Sequence, residues 1–213
     1  MSARPWPGAL DSAFAELDVS RETADRLAAY VALLRKWNPA VNLVSARSLE
    51  EVWSRHILDS AQLVPLLPPE ARTVVDLGSG GGLPAVVIAC FGVDRPVPMH
   101  VHMIESDRRK AVFLGQAVQA LGLEATVHAA RIDAAAVPHA DIVTARALAT
   151  VEKLLAHAHP FLAEKTQCLF LKSLDVASEL TQATKGWRFQ TELIPSRSDA
   201  RGMIVRMRNV ERR

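Results

Sequence analysis

Residues 74–84, VVDLGSGGGLP, decide the fold of this chain. The apolar, β-branched start of the stretch indicates a buried parallel strand, and the glycine-rich turn leads into an apolar helix. Glycine lets a backbone approach a ligand closely, and the N-terminus of the helix behind it offers unpaired N–H groups. The stretch therefore predicts the binding site of a nucleotide-type cofactor.

Two cofactor classes compete for this loop. A dinucleotide site needs the spacing G-x-G-x-x-G/A. Counting from Gly78 places Leu83 in the third slot and fails, and counting from Gly80 satisfies the pattern but starts the turn late. An S-adenosylmethionine site has an acidic residue two positions before the first glycine, and Asp76 fills that place. A carboxylate there accepts a hydrogen bond from the methionine ammonium group and repels a pyrophosphate, which favours S-adenosylmethionine.

A second acidic residue follows the next apolar segment. Residues 100–104 predict a short buried strand, and Glu105 stands at its C-terminal end. A carboxylate at that place accepts hydrogen bonds from both hydroxyl groups of an adenosyl ribose. The alternative is that Glu105 only caps the helix that starts near Ser106, since acidic residues favour the first helical turn. We favour the ribose role.

Length and composition limit the class of protein. With 213 residues, 49% of them hydrophobic, the chain can form one well-buried domain and a small extension. Cys90 and Cys168 lie in apolar runs without C-x-x-C spacing, which predicts reduced thiols, no disulfide and no metal site. The first nine residues lack an apolar signal sequence, and no run approaches the roughly 20 apolar residues of a membrane span. We therefore expect a cytoplasmic protein that does not engage a membrane.

The first third of the chain has the apolar spacing of helices. Residues 9–66 predict a first helix that stops at Asn38–Asn42 and a second helix opened by a capping box at Ser48 and Glu51. We interpret residues 1–70 as a helical extension on the substrate side of the molecule.

Strands and helices alternate from residue 73 onward. The expected strands lie near residues 73–77, 100–104, 126–130, 141–145 and 167–172. The last two apolar segments, 189–194 and 203–207, follow each other without a helix and are expected to pair antiparallel at the sheet edge. Residues 71–213 are thus predicted to form an α/β fold, a doubly wound, mostly parallel sheet with an antiparallel edge strand, as in Rossmann-like class I methyltransferases.

Ligands of such sheets bind where the carboxyl ends of the strands meet the loops. Asp133, after the third strand, is placed either to bind the adenine amino group or to remain a surface aspartate. Arg146 ends the fourth strand, where a charged residue needs a partner or an open cleft. Its guanidinium group can grip a phosphate, a carboxylate or a guanine edge, and the alternative is a structural ion pair with Asp59. We favour contact with substrate or cofactor.

The helical extension contributes further basic residues. Arg47 and Arg55 are candidates for contacts with nucleic-acid phosphates, although a solvated helix face is the alternative for each. His56 is either buried in helix packing or part of a binding site, with Asp59 one turn away as a natural partner.

Several motifs besides the glycine loop occur together in this chain. They are Trp37–Asn38, Asn42–Leu43, Arg55–Ser60, Glu105–Ser106, Phe113–Leu114, Arg131–Asp133, Thr144–Ala147 and Leu171–Lys172. With the Leu-Pro that ends the glycine loop, this combination closely resembles the bacterial small-subunit ribosomal RNA guanine-N7 methyltransferases, also called the glucose-inhibited division protein B family. The resemblance covers roughly residues 27–208, and the chain departs from the family pattern at Val44, Ser173 and Gly202.

The resemblance implies transfer of a methyl group from S-adenosylmethionine to N7 of one guanine in 16S rRNA, on free RNA or on the small ribosomal subunit. We expect a monomer. The family's cofactor contacts fall on Gly78, Leu83, Ile132 and Asp133, with Arg146 at the boundary of cofactor and substrate. The full expected cofactor-binding set is Asp76, Gly78, Ser79, Gly80, Leu83, Glu105, Ile132, Asp133 and Arg146. The expected substrate-binding set is Arg47, Arg55, Arg146 and Lys172, with Arg146 as the catalytic residue.

The chemistry of guanine N7 agrees with this pattern. N7 carries a lone pair in the ring plane and no proton, so methyl transfer needs alignment but no general base. The fourth strand is not followed by the Asn/Asp-Pro-Pro-aromatic motif of adenine-amine methyltransferases, and neither cysteine stands where a pyrimidine-C5 enzyme has its nucleophile. The alternatives are a methyltransferase for a small molecule or protein, a non-catalytic RNA-binding module with this fold and, last, a dinucleotide oxidoreductase.

Overall fold

The computed structural model describes residues 4–146, 148–173 and 175–213. Its strands are β1 (Thr73–Leu77), β2 (His100–Ile104), β3 (Ala125–His128), β4 (Ile142–Arg146), β5 (Gln167–Ser173), β6 (Trp187–Pro195) and β7 (Gly202–Arg212). They form one seven-stranded sheet in the order β3-β2-β1-β4-β5-β7-β6. The predicted α/β class is therefore confirmed.

Helices precede the sheet and connect its strands. They are α1 (Asp11–Ala15), α2 (Arg21–Val41), α3 (Ala46–Glu50), α4 (Asp59–Ala61), α5 (Ala85–Gly92), α6 (Arg108–Leu121), α7 (Val151–Ala158) and α8 (Val176–Ala183). A π-helical segment, Trp53–Leu58, leads into α4, and 3-10 turns lie at Gly8–Leu10, Val64–Leu66, Ile132–Ala134 and His159–Phe161. None of the helices in the described part of the chain is long and apolar enough to cross a bilayer.

The strand order of the sheet reverses at β1, which is its topological switch point. β1 pairs in parallel with β2 on one side and with β4 on the other. Such a point opens a crevice at the carboxyl ends of the strands, which is where ligands of doubly wound sheets bind. The expected antiparallel pair at the sheet edge is confirmed: β6 forms the edge, and β7 runs antiparallel between β5 and β6.

Two apolar cores cover the two faces of the sheet. On one face, the N-terminal helices pack with α5 and α6, and the buried side chains include Phe14, Tyr30 and Phe113. On the other face, α7 and α8 cover the sheet with side chains such as Leu155 and Val176. The N-terminal helices thus share a core with one face of the sheet, and this packing fixes their position against the sheet.

Two helix boundaries differ from the prediction. α2 continues through Pro39 to Val41 and ends at Asn42, whose φ of 54° is left-handed. Proline removes one hydrogen bond in the last turn only, and the continuation places Asn38 where its Oδ1 accepts a hydrogen bond from the Val44 backbone N–H at 2.9 Å.

The predicted capping box at Ser48 and Glu51 is wrong by one turn. Ser45 is the N-cap of α3, and its Oγ accepts a hydrogen bond from the Ser48 N–H at 3.2 Å. Ser48 lies inside the turn, where its hydroxyl donates to the Ser45 carbonyl at 2.9 Å and its Oγ lies 3.0 Å from Nε2 of His56.

Candidate functional site

The glycine loop after β1 requires glycine at two positions. Gly78 has φ +63°, and a Cβ there would stand 2.8 Å from Cδ1 of Leu148. Gly82 has φ +87°, and a Cβ there would stand 2.5 Å from Cγ2 of Val86. L side chains rarely adopt such φ values, and neither position has space for one. At these two positions the loop therefore packs closely against neighbouring side chains, whereas close approach to a ligand stays a prediction.

The same loop is fixed from two sides. The Gly80 N–H donates to Oε2 of Glu105 at 2.7 Å, and the Ser79 N–H donates to the Ile104 carbonyl at 2.9 Å. From α2, the Tyr30 hydroxyl donates to the Gly81 carbonyl at 2.5 Å. Burial raises the pKa of Tyr30 far above its usual value, so the phenol remains a donor. These contacts hold the loop rigidly against β2 and α2.

Asp76 carries the clearest sign of a missing partner. Its side chain is buried in β1, and Oδ1 accepts a hydrogen bond from Oγ1 of Thr144 at 2.6 Å. Oδ2 is buried without any hydrogen-bond partner among the described residues. Burial raises the pKa of Asp76 to about 6, against the opposing effect of the bonds from Thr144 and Ser79. A buried acceptor of this kind is costly unless a donor reaches it, and a ligand ammonium group is such a donor.

Glu105 accepts hydrogen bonds from the backbone of the protein and also lies at the crevice. Oε2 accepts from Gly80, as described, and Oε1 accepts from the Asp107 N–H at 2.7 Å. Asp107 is the N-cap of α6. Glu105 therefore also has a structural role at the start of this helix, as in the alternative that the sequence left open. Each carboxylate oxygen has a second lone pair, which leaves capacity for ribose hydroxyls.

The remaining predicted cofactor residues lie around this crevice or at its rim. Leu83 is buried just before α5. Ile132 and Asp133 form the 3-10 turn that follows β3. The Asp133 carboxylate is exposed and lies 3.3 Å from Nε of Arg131. A contact of Asp133 with the adenine amino group therefore stays a prediction.

Arg146 ends β4 and is held by the helical extension. Its Nη1 lies 3.5 Å from Oδ2 of Asp59, 2.9 Å from Nδ1 of His56 and 3.4 Å from the Arg55 carbonyl oxygen. The ion pair with Asp59, which the sequence offered as the alternative for Arg146, is thus present. Burial, together with the positive charges of Arg146 and Arg55, lowers the pKa of His56 to about 4. The imidazole is therefore neutral at pH 7 and accepts a hydrogen bond from Arg146.

A cleft of about 270 Å³ opens beside Arg146. Its walls come from the helical extension, the tips of β4 and β5, and the turn between β6 and β7. The residues that line it are Ser48, Arg55, His56, Asp59, Arg146, Leu171, Lys172, Ser173, Ser196, Ser198, Asp199, Gly202 and Met203. The structure therefore brings Arg55, Arg146 and Lys172 of the predicted substrate set to one place.

Two residues of the predicted substrate set, Arg47 and Lys172, are less available to a substrate in the cleft. Arg47 is exposed on α3 and lines a smaller recess that adjoins the cleft through Ser48 and Arg55. Lys172 reaches the cleft, but its Nζ lies 2.9 Å from Oε2 of Glu179 and donates to the Ala149 carbonyl at 2.8 Å. Two of the three ammonium hydrogens of Lys172 are thus used within the protein.

Some residues of the site were not predicted from the sequence. Thr144, the partner of Asp76, lies beside it because β4 pairs with β1 in that register. Aligning the two predicted strands in parallel would have indicated this pair. Tyr30 looks like any other apolar position of α2. Ser196 and Ser198 lie in a turn without a recognisable motif.

The chain matches the model of the GidB family, rRNA small subunit methyltransferase G, over residues 23–201. It belongs to this family. The ribosomal RNA small subunit methyltransferase G of Rhodospirillum centenum is 51% identical over 92% of this chain and 88% of the relative. The protein of that name from Parvibaculum lavamentivorans is 48% identical over 91% of this chain and 86% of the relative.

Solved structures with low sequence identity share the fold. A ribosomal protein L11 methylase from Lactobacillus delbrueckii has a TM-score of 0.59 at 14% identity and covers 73% of this chain and 78% of its own. A putative O-methyltransferase from Klebsiella pneumoniae has a TM-score of 0.58 at 15% identity, with 96% and 97% covered. TYW2 of M. jannaschii, in complex with AdoMet, has a TM-score of 0.55 at 16% identity, with 76% and 78% covered. The Rossmann-like methyltransferase fold is confirmed.

The chain is thus a methyltransferase that uses S-adenosylmethionine, and its residues fit that cofactor. The unpartnered Oδ2 of Asp76 suits the methionine ammonium group, and four of the five residues from Gly78 to Gly82 are glycines, which keep the loop surface nearly free of side chains.

The affinity for S-adenosylmethionine is expected to fall in acid. The raised pKa of Asp76, about 6, means that the cofactor-free protein takes up a proton there as the pH falls through 6. Protonation competes with the ammonium group, so the dissociation constant should rise about tenfold between pH 7 and pH 5. Isothermal titration calorimetry across this range measures the effect. A flat profile would show that the cofactor does not meet the Asp76 carboxylate.

Proposed function

We propose that this chain transfers the methyl group of S-adenosylmethionine to N7 of one guanine in 16S rRNA, as a monomer in the cytoplasm. One observation carries the proposal. The cleft beside Arg146 has three cationic side chains against two carboxylates, Asp59 and Asp199, while its histidine, His56, is neutral and engaged at both ring nitrogens. The cleft can therefore attract RNA, but its described residues offer no uncommitted imidazole as a general base. An acceptor without a proton, such as guanine N7, fits this arrangement.

The cofactor residues have distinct roles in the proposal. Bound S-adenosylmethionine supplies an electrophilic methyl group on a sulfonium. Asp76 accepts from its ammonium group, Glu105 accepts from its ribose hydroxyls, and Asp133 accepts from its adenine amino group. Ser79, Gly80, Leu83 and Ile132 form the walls around it. The rigid support from β2 and α2 keeps these groups in place, which is how positioning lowers a methyl-transfer barrier.

Residues 1–70 form the substrate side in this proposal, and residues 71–213 bind the cofactor. Arg55, which lines the cleft, and Arg47, which lines the adjoining recess, contact RNA phosphates. Arg146 stands between cofactor and guanine, and Lys172 adds positive charge at the tip of β5. When N7 takes the methyl group the base becomes cationic, and repulsion from Arg146 favours its release.

Mass spectrometry of 16S rRNA tests the function directly. Deleting the gene in its host is expected to remove one 7-methylguanosine, and expressing the unaltered chain should restore it. The matched control is the Asp76→Asn variant, expressed at the same level, which should restore much less of the modification. An unchanged modification map in the deletion strain would refute the proposal.

The form of the substrate is settled by a separate assay. Purified protein is given a labelled methyl donor with either free 16S rRNA or small ribosomal subunits from the deletion strain. Label in RNA supports an RNA methyltransferase, whereas label only in ribosomal protein, or in neither substrate, contradicts it.

A further inference from the structure

Asp59 joins three walls of the cleft. It begins α4, and its side chain is only 17% exposed. Its Oδ2 lies 3.5 Å from Nη1 of Arg146, at the tip of β4. Its Oδ1 accepts a hydrogen bond from Oγ of Ser198 at 2.6 Å and another from Nε2 of Gln62 at 3.0 Å. One carboxylate thus contacts the helical extension, a strand tip and the turn between β6 and β7.

The turn between β6 and β7 is attached to the helical extension mainly at this point. Gln62, itself bound to Asp59, donates from Nε2 to Oγ of Ser196 at 3.1 Å and accepts from the Arg197 N–H at 2.8 Å. An exposed ion pair between Arg197 and Glu16 also links turn and extension. Exposed ion pairs contribute little to stability. The hydrogen bonds that Asp59 and Gln62 make with the turn therefore determine the position of this wall of the cleft.

Asp59 also controls the direction of the Arg146 guanidinium group. The other two contacts of Nη1, with His56 and the Arg55 carbonyl, are neutral acceptors. Among the described residues, Asp59 is the carboxylate within ion-pair distance of Arg146. A charged partner that is largely shielded from water orients a guanidinium group more strongly than neutral acceptors do.

We propose that Asp59 is a positioning residue of the methyl-transfer site, which acts by holding Arg146 and the β6–β7 turn in place around the acceptor base. This inference rests on the proposed function and assigns Asp59 no contact with the reacting atoms. It predicts a larger defect in turnover than in cofactor binding, because Asp59 has no described contact with the glycine loop and would influence the cofactor only through Arg146.

The variant Asp59→Asn tests the proposal with little change in shape. Its amide oxygen can still accept from Ser198, but its amide nitrogen cannot pair with Arg146. We expect kcat for methylation of small subunits to fall about tenfold, since misplaced reacting groups cost up to about 100-fold. The dissociation constant of S-adenosylmethionine should change less than about twofold. Glu16→Gln, which cuts the exposed contact to the same turn, should leave kcat unchanged.

A double variant separates positioning from general stability. If Asp59 acts through Arg146, then Asp59→Asn combined with Arg146→Ala should be about as slow as Arg146→Ala alone. Multiplied defects, or equal losses in kcat and cofactor affinity, would overturn the proposal.

A second measurement does not need substrate. Arginine-selective ¹⁵N NMR of the unaltered protein should show separate, slowly exchanging Nη signals for Arg146, assigned by their loss in Arg146→Lys. Asp59→Asn should collapse these signals, and Glu16→Gln should not. Persistence of the signals in Asp59→Asn overturns the proposal even if the protein proves to methylate another substrate. Turnover by the unaltered protein tests the proposed function separately.

Discussion

Asp76→Asn is expected to weaken binding of S-adenosylmethionine about 100-fold, because it removes the charge that faces the methionine ammonium group. A hydrogen bond between charged groups contributes up to about 3 kcal/mol when it is shielded from water, and about 2.7 kcal/mol corresponds to this loss. Thr144 can still donate to the asparagine oxygen, so the shape of the site is kept. Calorimetry at pH 7.5 measures the affinity.

The same substitution is expected to stabilise the cofactor-free protein. The pKa of Asp76 is raised from 3.8 to about 6, so the folded state binds this proton more tightly than the unfolded state does. The stability contributed by the protonated carboxyl is complete below about pH 4 and is lost as the pH rises through 6. Asp76→Asn should therefore gain up to about 3 kcal/mol in free energy of unfolding at pH 8 and little at pH 4.

Denaturant unfolding of the cofactor-free protein at the two pH values checks this expectation. Asp18→Asn is the matched control: it removes the same charge from an exposed site whose φ of 47° suits asparagine, and it should alter neither affinity nor stability by much. Equal affinity in Asp76→Asn and the unaltered protein would contradict the role of Asp76. A loss of stability at pH 8 would contradict the cost assigned to its burial.

The position of the glycine loop and of the two acids beside it follows from local sequence. The β-branched run before Gly78 specifies a buried strand, and a strand followed by glycines and an apolar helix has few folding solutions. The acids at the ends of β1 and β2 come together because parallel strands present their carboxyl ends at one edge. The short antiparallel pair at the end of the chain was predicted because no helix separates its two segments.

Contacts between distant segments could not be predicted in the same way. Asp59 and Ser198 are far apart in the sequence, and no periodicity of residues 196–201 indicates that this turn meets α4. For Arg146, the sequence left both an ion pair with Asp59 and a ligand contact open. The structure shows the ion pair, and it also places Arg146 on the wall of the cleft. The two roles are therefore compatible, because one guanidinium group has several donors.

The N-terminal boundary errors have a local cause. The prediction treated Pro39 as a helix stop, but α2 is anchored by buried residues on both sides of it, including Leu34 and Val41. Burial of Val41 outweighs the single hydrogen bond that proline removes near the helix end. A proline near the end of a helix therefore does not stop the helix when a residue beyond the proline is buried by tertiary packing.

Gly82→Ala is expected to destabilise the protein by about 2–5 kcal/mol. An alanine at φ +87° costs about 1–2 kcal/mol in backbone strain. Its Cβ would also stand 2.5 Å from Cγ2 of Val86 and 3.0 Å from Cδ2 of Leu114, and overpacking of a buried site costs typically about 1–3 kcal/mol. Both atoms belong to side chains of the core, so the loop itself must move. Urea unfolding at 25 °C gives the free energy of unfolding for the variant and the unaltered protein.

Gly115→Ala is the matched control for Gly82→Ala. Gly115 lies inside α6, where an added Cβ meets nothing within 4 Å, so alanine should stabilise by up to about 1 kcal/mol through helix propensity. The steric part of the Gly82→Ala effect can be isolated by combining it with Val86→Ala, which removes the clashing methyl group but leaves the backbone strain. The two substitutions should then cost less together than the sum of their separate effects. Additive costs would mean that the side chain of Val86 does not oppose the added Cβ. Equal stability of Gly82→Ala and Gly115→Ala would mean that the loop does not need its glycine at position 82.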